Sequence, residues 1–383
     1  MKYFMVDRIE DATEFEALRE DWNDLLQSSA ANCLFLTWEW LHTWWKHLAG
    51  DRRLFILTVR SGGKLLAIAP FAIRAGSLTS VHPFRSLEFL GSGHVGSDYL
   101  DLIIRRGHEK EVLSALADYL NYKNWTLTLS QLKRGSSFAL ELAQMLVKRD
   151  WRLSEARINA CPFIDLSGHN WQSYLATLGS QHRYNLQRRL KNLTRQNDMR
   201  FEQALSDEKR QQALALLIDL HNLRWNERGG SDAFHTAGLR SFHEEFSSIA
   251  LRAGWLRLFV LWLDGKPASA LYGFLYQRNF SFYQSGFDPG YAKQSVGLVT
   301  MGLAIKNAIE EGVEEYDLLH GEEQYKYLWA HDARELGRLE LYPPNVRGRL
   351  YERTVELNRV ARRMARHVLS TPRTIGQLWQ HEN

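Results

Sequence analysis

Cysteine is nearly absent from this chain of 383 residues, which contains only Cys33 and Cys161. The two are far apart and neither belongs to a Cys-x-x-Cys pair, so the sequence excludes a disulfide framework and argues against a zinc site. We therefore predict no bound metal and expect each thiol to be a solitary buried side chain.

Long hydrophobic runs are lacking too. The longest apolar run extends from Leu65 to Ile73, which is too short to cross a bilayer. Charged residues return within the first ten positions, too early for the apolar centre of a signal peptide. The expected location is therefore the cytoplasm.

A strong excess of charge of either sign is also missing, because the formal net charge is only +4. Such a balance demands no nucleic-acid partner, and we expect no binding to DNA. What the chain does have is apolar surface, since 45% of its residues are hydrophobic and 13 are Trp. Long disordered stretches are therefore not expected, and the length allows two or three domains.

A β-hairpin pattern occurs twice. In the first half, an apolar strand of residues 54–60 is followed by a Ser-Gly-Gly turn and a second apolar strand of residues 64–74. In the second half, residues 258–263 and 268–276 flank an Asp-Gly-Lys turn that reads as two residues shorter. We interpret the repeat as the duplication of one α/β unit.

The repeat defines the predicted domains. Residues 1–162 would form an N-terminal unit, residues 163–342 a C-terminal unit, and residues 343–383 a basic helical tail. Between Arg347 and Arg373 the tail carries eight Arg against two Glu, with apolar residues on one helical face. The tail would either dock on the body as a solvated helix or contact anionic membrane lipid or a phosphorylated partner.

The glycine-rich segment 91–96, Gly-Ser-Gly-His-Val-Gly, has the letters of a dinucleotide-binding loop. Such a loop follows a strand and opens a helix, whose N-terminus holds the pyrophosphate. Here the apolar residues 99–104 predict a strand instead, so nucleotide binding is not expected at this loop.

A second loop lies between a predicted strand and an amphipathic helix, which is the context that a phosphate site requires. The first backbone N–H groups of a helix lack partners within it and attract anions, and glycine lets a ligand approach closely. An ordinary helix start is the alternative. The residues of this loop are Gln294, Ser295, Val296, Gly297, Leu298 and Val299.

The segment after the predicted strand 315–319 is crowded with ionisable groups, namely His320, Glu322, Tyr325 and Lys326. Neighbouring ionisable groups shift each other's pKa values, as catalytic sites require. The alternative is a solvent-exposed loop followed by a charged helix that starts near residue 323.

Two further segments carry clustered cations. The predicted helix 181–196 includes Arg183 and would either expose a solvated basic face or bind a phosphate-bearing ligand, an acyl carrier or a polyanionic glycan. At the end of the predicted helix 207–223, Arg224 and Arg228 flank Trp225 and would clamp an anion or complement the helix dipole.

Taken together, these segments resemble the GNAT-like acetyltransferase family, whose members include CelD-type proteins of cellulose and exopolysaccharide biosynthesis. The resemblance covers about residues 165–335. That family also resembles the FemAB-type aminoacyl transferases, which carry two GNAT-like units per chain. The segments that carry the resemblance are, in order, Ser180–Arg189, His221–Gly230, Leu263–Ala268, Tyr283–Ala292, Gly297 and Tyr316–Trp329.

Two positions depart from the family pattern. The loop 294–299 resembles the Q/R-x-x-G-x-G/A loop by which GNAT enzymes hold the pyrophosphate of coenzyme A, but Val299 stands where a small residue is usual. The family commonly has arginine where this chain has His320, a group that also exchanges protons near neutral pH.

The resemblance implies an α/β (α+β) fold of tandem GNAT-like units, each a central mixed sheet flanked by helices. It implies an acyltransferase that moves an acyl group, acetyl in the simplest case, from acyl-CoA to an amine or hydroxyl. The acceptor would be a small molecule or a glycan, in polysaccharide or cell-envelope biosynthesis. The loop 294–299 would hold the acyl-CoA, and Arg183, Arg224, Trp225 and Arg228 would bind substrate.

The same resemblance suggests the catalytic roles. His320 or Glu322 would act as general base, Tyr325 would protonate the leaving thiolate, and Lys326 would bind a substrate anion or the oxyanion. Two alternatives stay open at this point. One is a FemAB-like transferase that uses aminoacyl-tRNA on a cell-wall precursor, the only case with an RNA partner; the other is a non-catalytic GNAT-like scaffold. The acyl length and the oligomeric state are open as well.

Overall fold

A computed structural model describes residues 3–76, 84–226 and 234–370 of the chain, without the side chains of residues 224–226, 362–363 and 365–370. These ranges form a thirteen-stranded sheet flanked by helices. The strands are β1 Met5–Ile9, β2 Arg53–Ser61, β3 Lys64–Arg74, β4 Ser86–Phe89, β5 Ile103–Ile104, β6 Leu127–Lys133, β7 Arg152–Asp165, β8 Met199–Gln203, β9 Leu256–Leu263, β10 Lys266–Tyr276, β11 Asn279–Phe287, β12 Glu315–Asp317 and β13 Asp332–Tyr342.

The helices lie between groups of these strands along the chain. They are α1 Ala12–Ala17, α2 Arg19–Gln27, α3 Trp38–Leu48, α4 Glu109–Lys123, α5 Phe138–Val147, α6 Trp171–Thr177, α7 Ser180–Gln196, α8 Asp207–Asn226, α9 Ala237–Arg252, α10 Val296–Glu310 and α11 Val346–Ser370. In the described ranges, none of them combines the length and the apolar character that crossing a bilayer requires.

The pattern of antiparallel and parallel pairing is nearly the same when the sheet is read inward from either edge. The strand order is β1-β2-β3-β4-β6-β13-β7-β12-β11-β10-β9-β8, with β5 paired to β3. Each half contributes an antiparallel run and then one parallel pair, β4 with β6 and β11 with β12. The mixed α/β fold class is therefore confirmed, and the two predicted hairpins occupy equivalent positions.

Both hairpins close through a two-residue turn. In β2–β3 the turn residues Gly62 and Gly63 have positive φ, and in β9–β10 the same holds for Asp264 and Gly265. Two consecutive positive φ values define the type I′ turn, whose twist matches that of the flanking strands. The expected difference in turn length was wrong, since each turn has two residues.

Strands β7 and β13 connect the two halves. Most of β7 pairs with β13, while its last three residues, Phe163 to Asp165, pair with β12. β13 also pairs with β6, so a strand from the end of the described chain completes the sheet of the first half. The predicted boundary at residues 162 and 163 falls inside β7, and the division into domains stays a prediction.

Aromatic packing holds the halves together on one face of the sheet. The buried indole of Trp40 on α3 meets the rings of Phe242 and Phe246 on α9 edge to face, at 4.9 and 4.7 Å between centroids. Edge-to-face pairs of this kind add about 0.5–1.5 kcal/mol each to the burial of their area. The indole N–H donates to the hydroxyl of Ser97 at 2.8 Å, which fixes the loop after β4.

Two elements differ from the sequence prediction. The strand expected over residues 99–105 is reduced to β5, because Tyr99 adopts a positive φ of 58° that interrupts an extended chain. The helix expected near residue 323 is a single 3-10 turn, Lys326–Leu328, followed by β13.

Candidate active site

The candidate site is built on a sharp turn after β12. Leu319 and Gly321 both have positive φ, at 53° and 124°, and they flank His320. The backbone N–H of Leu319 donates to Asp317 at 2.7 Å, which closes the strand end. The turn therefore sets His320 apart from the regular sheet.

Lys326 supports this turn from inside the protein. Its side chain is 5% exposed, and Nζ donates to the carbonyl oxygens of Leu319 and His320 at 3.1 and 2.7 Å. Nζ also lies 3.2 Å from a carboxylate oxygen of Glu323. The three protons of the ammonium group are thus matched by three acceptors, and Lys326 fixes the position of His320.

His320 is paired with Asp98, a residue of the other half. The backbone N–H of His320 donates to Asp98 Oδ2 at 2.9 Å, and Nδ1 lies 3.0 Å from the same carboxylate. The side chain of Asp98 is fully buried, whereas that of His320 is 37% exposed. With Nδ1 bonded to the acid, Nε2 is the nitrogen left to exchange a proton.

The carboxylate changes the chemistry of the imidazole. Its negative charge and its hydrogen bond raise the pKa of His320 above the usual value, and this effect outweighs the opposing effect of burial. A histidine with a raised pKa is a stronger base once it is neutral. The pair therefore has the composition of an oriented general base.

The loop that carries Asp98 is the glycine-rich segment 91–96 and the residues that follow it. The hydroxyl of Tyr283, on β11, donates to the carbonyl oxygen of Val95. Gly96 has a φ of 70°, and a Cβ added there would lie 3.4 Å from Cε1 of His320. The glycine-rich segment 91–96, in which we expected no nucleotide binding, thus packs directly against the imidazole of His320.

A second buried acid lies close to the first. The hydroxyl of Tyr99 donates to Asp317 at 2.6 Å, and the thiol of Cys161 lies 3.7 Å from Asp98. Burial raises the pKa of Asp317 to about 7 and raises that of the Cys161 thiol far above its usual range. Cys161 is therefore a neutral, unreactive thiol.

A cavity of about 520 Å³ adjoins Tyr99 and Asp317. It is lined by residues of both halves, and His320 is not among them. Its polar wall includes Asn32, Asp101, Lys133, Ser281 and Arg334.

The predicted donor loop forms the start of α10. Ser295 adopts a positive φ of 57° and the helix begins at Val296. In the described chain the backbone N–H groups of residues 296–298 have no backbone acceptor, and the next N–H, of Val299, bonds to Ser295 at 3.2 Å. This arrangement suits a phosphate group.

The side chains around this helix start leave room for a ligand. A Cβ added at Gly297 would meet only the ring of Phe287, at 3.5 Å or more. Val299 is fully buried in an apolar cluster with Leu261 and Ala268, so its side chain does not crowd the free N–H groups. The departure from a small residue at this position is accommodated by the core.

The other predicted site residues are placed differently. Glu322 pairs with Arg157 at the surface and is 47% exposed, and Tyr325 is half-buried against the core of the second half. Arg183 donates to the carbonyl oxygens of Leu175 and Ala176, both at 3.4 Å, at the end of α6. The side chains of Arg224 and Trp225, and the whole of Arg228, lie outside the described residues.

A turn in the described part of the first half can be compared with the turn that carries His320. In the first half, Leu127 pairs with the parallel strand β4, and Gln131, four positions later, has a positive φ. In the second half, Glu315 pairs with the parallel strand β11, and Leu319, four positions later, has a positive φ. The residue after Gln131 is Leu132, which is 2% exposed. At these two turns the next residue is therefore the ionisable His320 in the second half and the buried Leu132 in the first.

Asp98 was not among the predicted site residues. Its only sequence signal is its position just after a glycine-rich turn, within a mostly apolar segment. Among the residues that the structure describes, no group of three or more His, Cys, Asp or Glu side chains is arranged to hold a metal ion.

Comparison with known proteins agrees with this architecture. The crystal structure of FemX superposes with a TM-score of 0.60 at 12% identity, over 87% of this chain and 96% of that one. The C-terminal domain of a putative lysylphosphatidylglycerol synthetase from Agrobacterium fabrum gives 0.52 at 11% identity, with 86% and 92% covered. L-PGS from Bacillus licheniformis gives 0.51 at 13% identity, with 90% and 96% covered. At these identities the likeness concerns the fold.

The sequence comparisons are more specific in the second half. A search of curated proteins gave no match. Residues 180–327, which include α7, α10 and His320, match the family model of the acetyltransferase (GNAT) domain. The predicted resemblance to GNAT-like acetyltransferases is thereby confirmed for this part of the chain.

Proposed function

We propose that this protein is an acyltransferase that carries an acyl group from acyl-CoA to an amine or hydroxyl acceptor, with His320 as general base. The observation that carries the proposal is the pairing of the buried Asp98 with His320, which itself lies inside the segment that matches a GNAT domain. The proposed base lies in the second half, and the acid that orients it comes from the first half.

The reaction would proceed by direct attack. The acceptor's nitrogen or oxygen bonds to the thioester carbonyl carbon while neutral His320 takes its proton at Nε2. The resulting tetrahedral oxyanion collapses, the carbon–sulfur bond breaks, and the thiolate of CoA leaves. The thiolate then takes up a proton, from Tyr325 in the sequence-based prediction or from the His320 imidazolium itself.

His320 is the better supported of the two predicted bases. Its Nδ1 is bonded to a buried acid, which fixes the tautomer and orients the ring. Glu322 is half-exposed and its carboxylate is bonded to Arg157. The guanidinium of Arg157 already occupies this carboxylate, which leaves it less available to an acceptor's proton.

The donor would be held at the start of α10. Its pyrophosphate would accept hydrogen bonds from the backbone N–H groups of residues 296–298, next to the open face of Gly297. Lys326 would contribute by holding the turn, because its protons already have three acceptors. We place the reaction in the cytoplasm and, following the resemblance, propose a glycan or cell-envelope acceptor.

One observation favours the aminoacyl-tRNA alternative. α7 carries Arg183, Arg188, Arg189, Lys191 and Arg195 and no acidic residue. Within the described chain none of the five is in an ion pair; Arg183 donates to two backbone carbonyls and Arg188 lies over the ring of Tyr184. The helix packs against α10, where a Cβ on Gly302 would lie 2.7 Å from Leu186. The phosphates of an RNA donor would bind to these cationic side chains.

Native mass spectrometry with a panel of acyl-CoA thioesters tests the donor, and release of free CoA thiol in the presence of candidate acceptors tests the reaction. We expect one acyl-CoA to bind and its binding to fall in a Gly297→Val variant. Binding of aminoacyl-tRNA without any acyl-CoA would establish the alternative. Failure of every donor to bind or to raise the melting temperature would favour the scaffold.

A further inference from the structure

The helix α11 is fixed to the body by one face only. Tyr351 and Val355 form a small buried cluster with Tyr342 at the end of β13. The hydroxyl of Tyr351 donates to the carbonyl oxygen of Phe84 at 3.1 Å, and Arg359 pairs with the buried Glu340 of β13. These contacts define an inner face and hold the helix in one orientation.

The opposite face of the helix is apolar and exposed. Val346, Leu350, Leu357 and Met364 have exposed fractions of 80, 57, 69 and 64%. At about 100° per residue, these four side chains fall within a narrow stripe that lies nearly opposite Tyr351 and Val355. We call this set of four residues the outer stripe. Large apolar side chains rarely line up in water without a partner surface.

Positive charge accompanies the outer stripe. Arg347, Arg349 and Arg353 are exposed, and none of them has an ion pair among the described residues. Glu356 is the acidic residue on this side, since Glu352 is bonded to Arg152. Along its whole length α11 contains seven Arg and two Glu.

We propose that α11 lies along the surface of an anionic membrane, with the outer stripe among the lipid chains and its arginines on lipid phosphates. A helix with an apolar stripe, a strongly cationic flank and low mean hydropathy has the properties of an interfacial helix. Anionic headgroups attract each exposed arginine, and the attraction falls off within a Debye length.

A second copy of the chain fits the outer stripe less well. Arg353 lies within the stripe, between Leu350 and Leu357, so two such helices face to face would bring arginines together. Paired helices commonly offset such charges with acidic residues at flanking positions. Here Glu356 alone is available on the exposed side, whereas lipid phosphates supply the countercharge along the whole helix.

Sedimentation with vesicles tests the proposal on the full chain. We expect binding to phosphatidylcholine vesicles that contain about a third phosphatidylglycerol, and at least tenfold weaker binding to phosphatidylcholine alone. A Leu350→Glu/Leu357→Glu variant should bind the anionic vesicles at least tenfold more weakly, because it places charges in the apolar layer. An Arg347→Gln/Arg349→Gln/Arg353→Gln variant should also bind less and lose its dependence on salt.

The matched control is Leu205→Glu, because Leu205 is 73% exposed and lies outside α11. It should bind as the wild type does, and unchanged melting temperatures would show that all variants are folded. The proposal is overturned if anionic vesicles do not sediment the wild type, or if the stripe variant binds as well as the control. It is also overturned if light scattering shows that the wild type is a dimer and that the stripe variant is a monomer which still binds the anionic vesicles.

Discussion

Nδ1 of His320 lies 3.0 Å from the carboxylate of Asp98, although 222 positions separate the two residues along the chain. The bond joins the turn after β12 to the loop after β4. The two halves therefore meet at the group that we assign as the base.

The first prediction concerns pH. The neutral imidazole is the active form of the base, so kcat/KM should rise with pH through the pKa of His320. Because Asp98 raises that pKa, Asp98→Asn should move the rising limb to lower pH. It should also lower the plateau by up to about 10²-fold, the smaller end of what a general base contributes. An unchanged profile in a folded Asp98→Asn variant would show that the pair does not act in catalysis.

The second prediction separates the two predicted bases. His320→Ala should lower kcat by about 10²–10⁴-fold and leave the affinity for the donor unchanged, because it removes a group needed for proton transfer. Glu322→Gln should change kcat by only a few fold, since it removes a half-exposed ion pair with Arg157. Steady-state kinetics with both variants checks this. If the two effects are reversed, Glu322 is the base.

The third prediction concerns the start of α10. Gly297→Ala should fold normally, because the nearest atom to the added Cβ is 3.5 Å away. Gly297→Val should reduce the affinity for acyl-CoA by at least about tenfold, since its methyl groups would cover N–H groups that we assign to the pyrophosphate. Calorimetric titration of both variants measures the effect. Equal affinities would remove this loop from the donor site.

The fourth prediction concerns Lys326. If its ammonium group holds the turn, Lys326→Ala should lower both the melting temperature and kcat and leave the KM for the acceptor unchanged. The physical reason is that two carbonyl oxygens and the Glu323 carboxylate lose a shared donor. A raised KM with unchanged stability would instead support the role in acceptor binding that the sequence suggested.

The fifth prediction concerns stability away from the site. A Cβ added at Gly286 would lie 2.5 Å from the backbone nitrogen of His221, in α8, so that helix must move. Gly286→Ala should lower the free energy of unfolding by about 1–3 kcal/mol, as overpacking does. Gly179→Ala is the control, since no atom lies within 4 Å of its added Cβ. Urea denaturation compares the two, and equal midpoints would contradict the prediction.

Much of the fold was predictable because its signals are local. The hairpins β2–β3 and β9–β10 are recognisable in the sequence from apolar strands around glycine-containing turns, and α10 is recognisable from its apolar stripe. β13 was missed because charged residues such as Asp332, Arg334 and Glu335 crowd its first half, and its pairing partners are remote in sequence. Non-local pairing is decided by the whole sheet, so no short window of residues reports it.

Only the site residues of the second half were predictable from the sequence. His320 and Lys326 follow a strand in a matching family segment, so their proximity follows from a single turn. Asp98 reaches them through the packing of Trp40 on Ser97 and of Tyr283 on Val95. The first contact lies within the first half and the second joins the two halves, and nothing in the neighbourhood of residue 98 indicates either of them.

The position of β13 has a consequence for how the chain acquires its structure during synthesis. A ribosome releases β6 and β7 long before β13, and both strands need β13 as a neighbour. The first half therefore emerges with a gap in its sheet that only the last part of the described chain closes. We therefore expect the sheet of the first half to be completed only after β13 has been synthesised, late in the production of the chain.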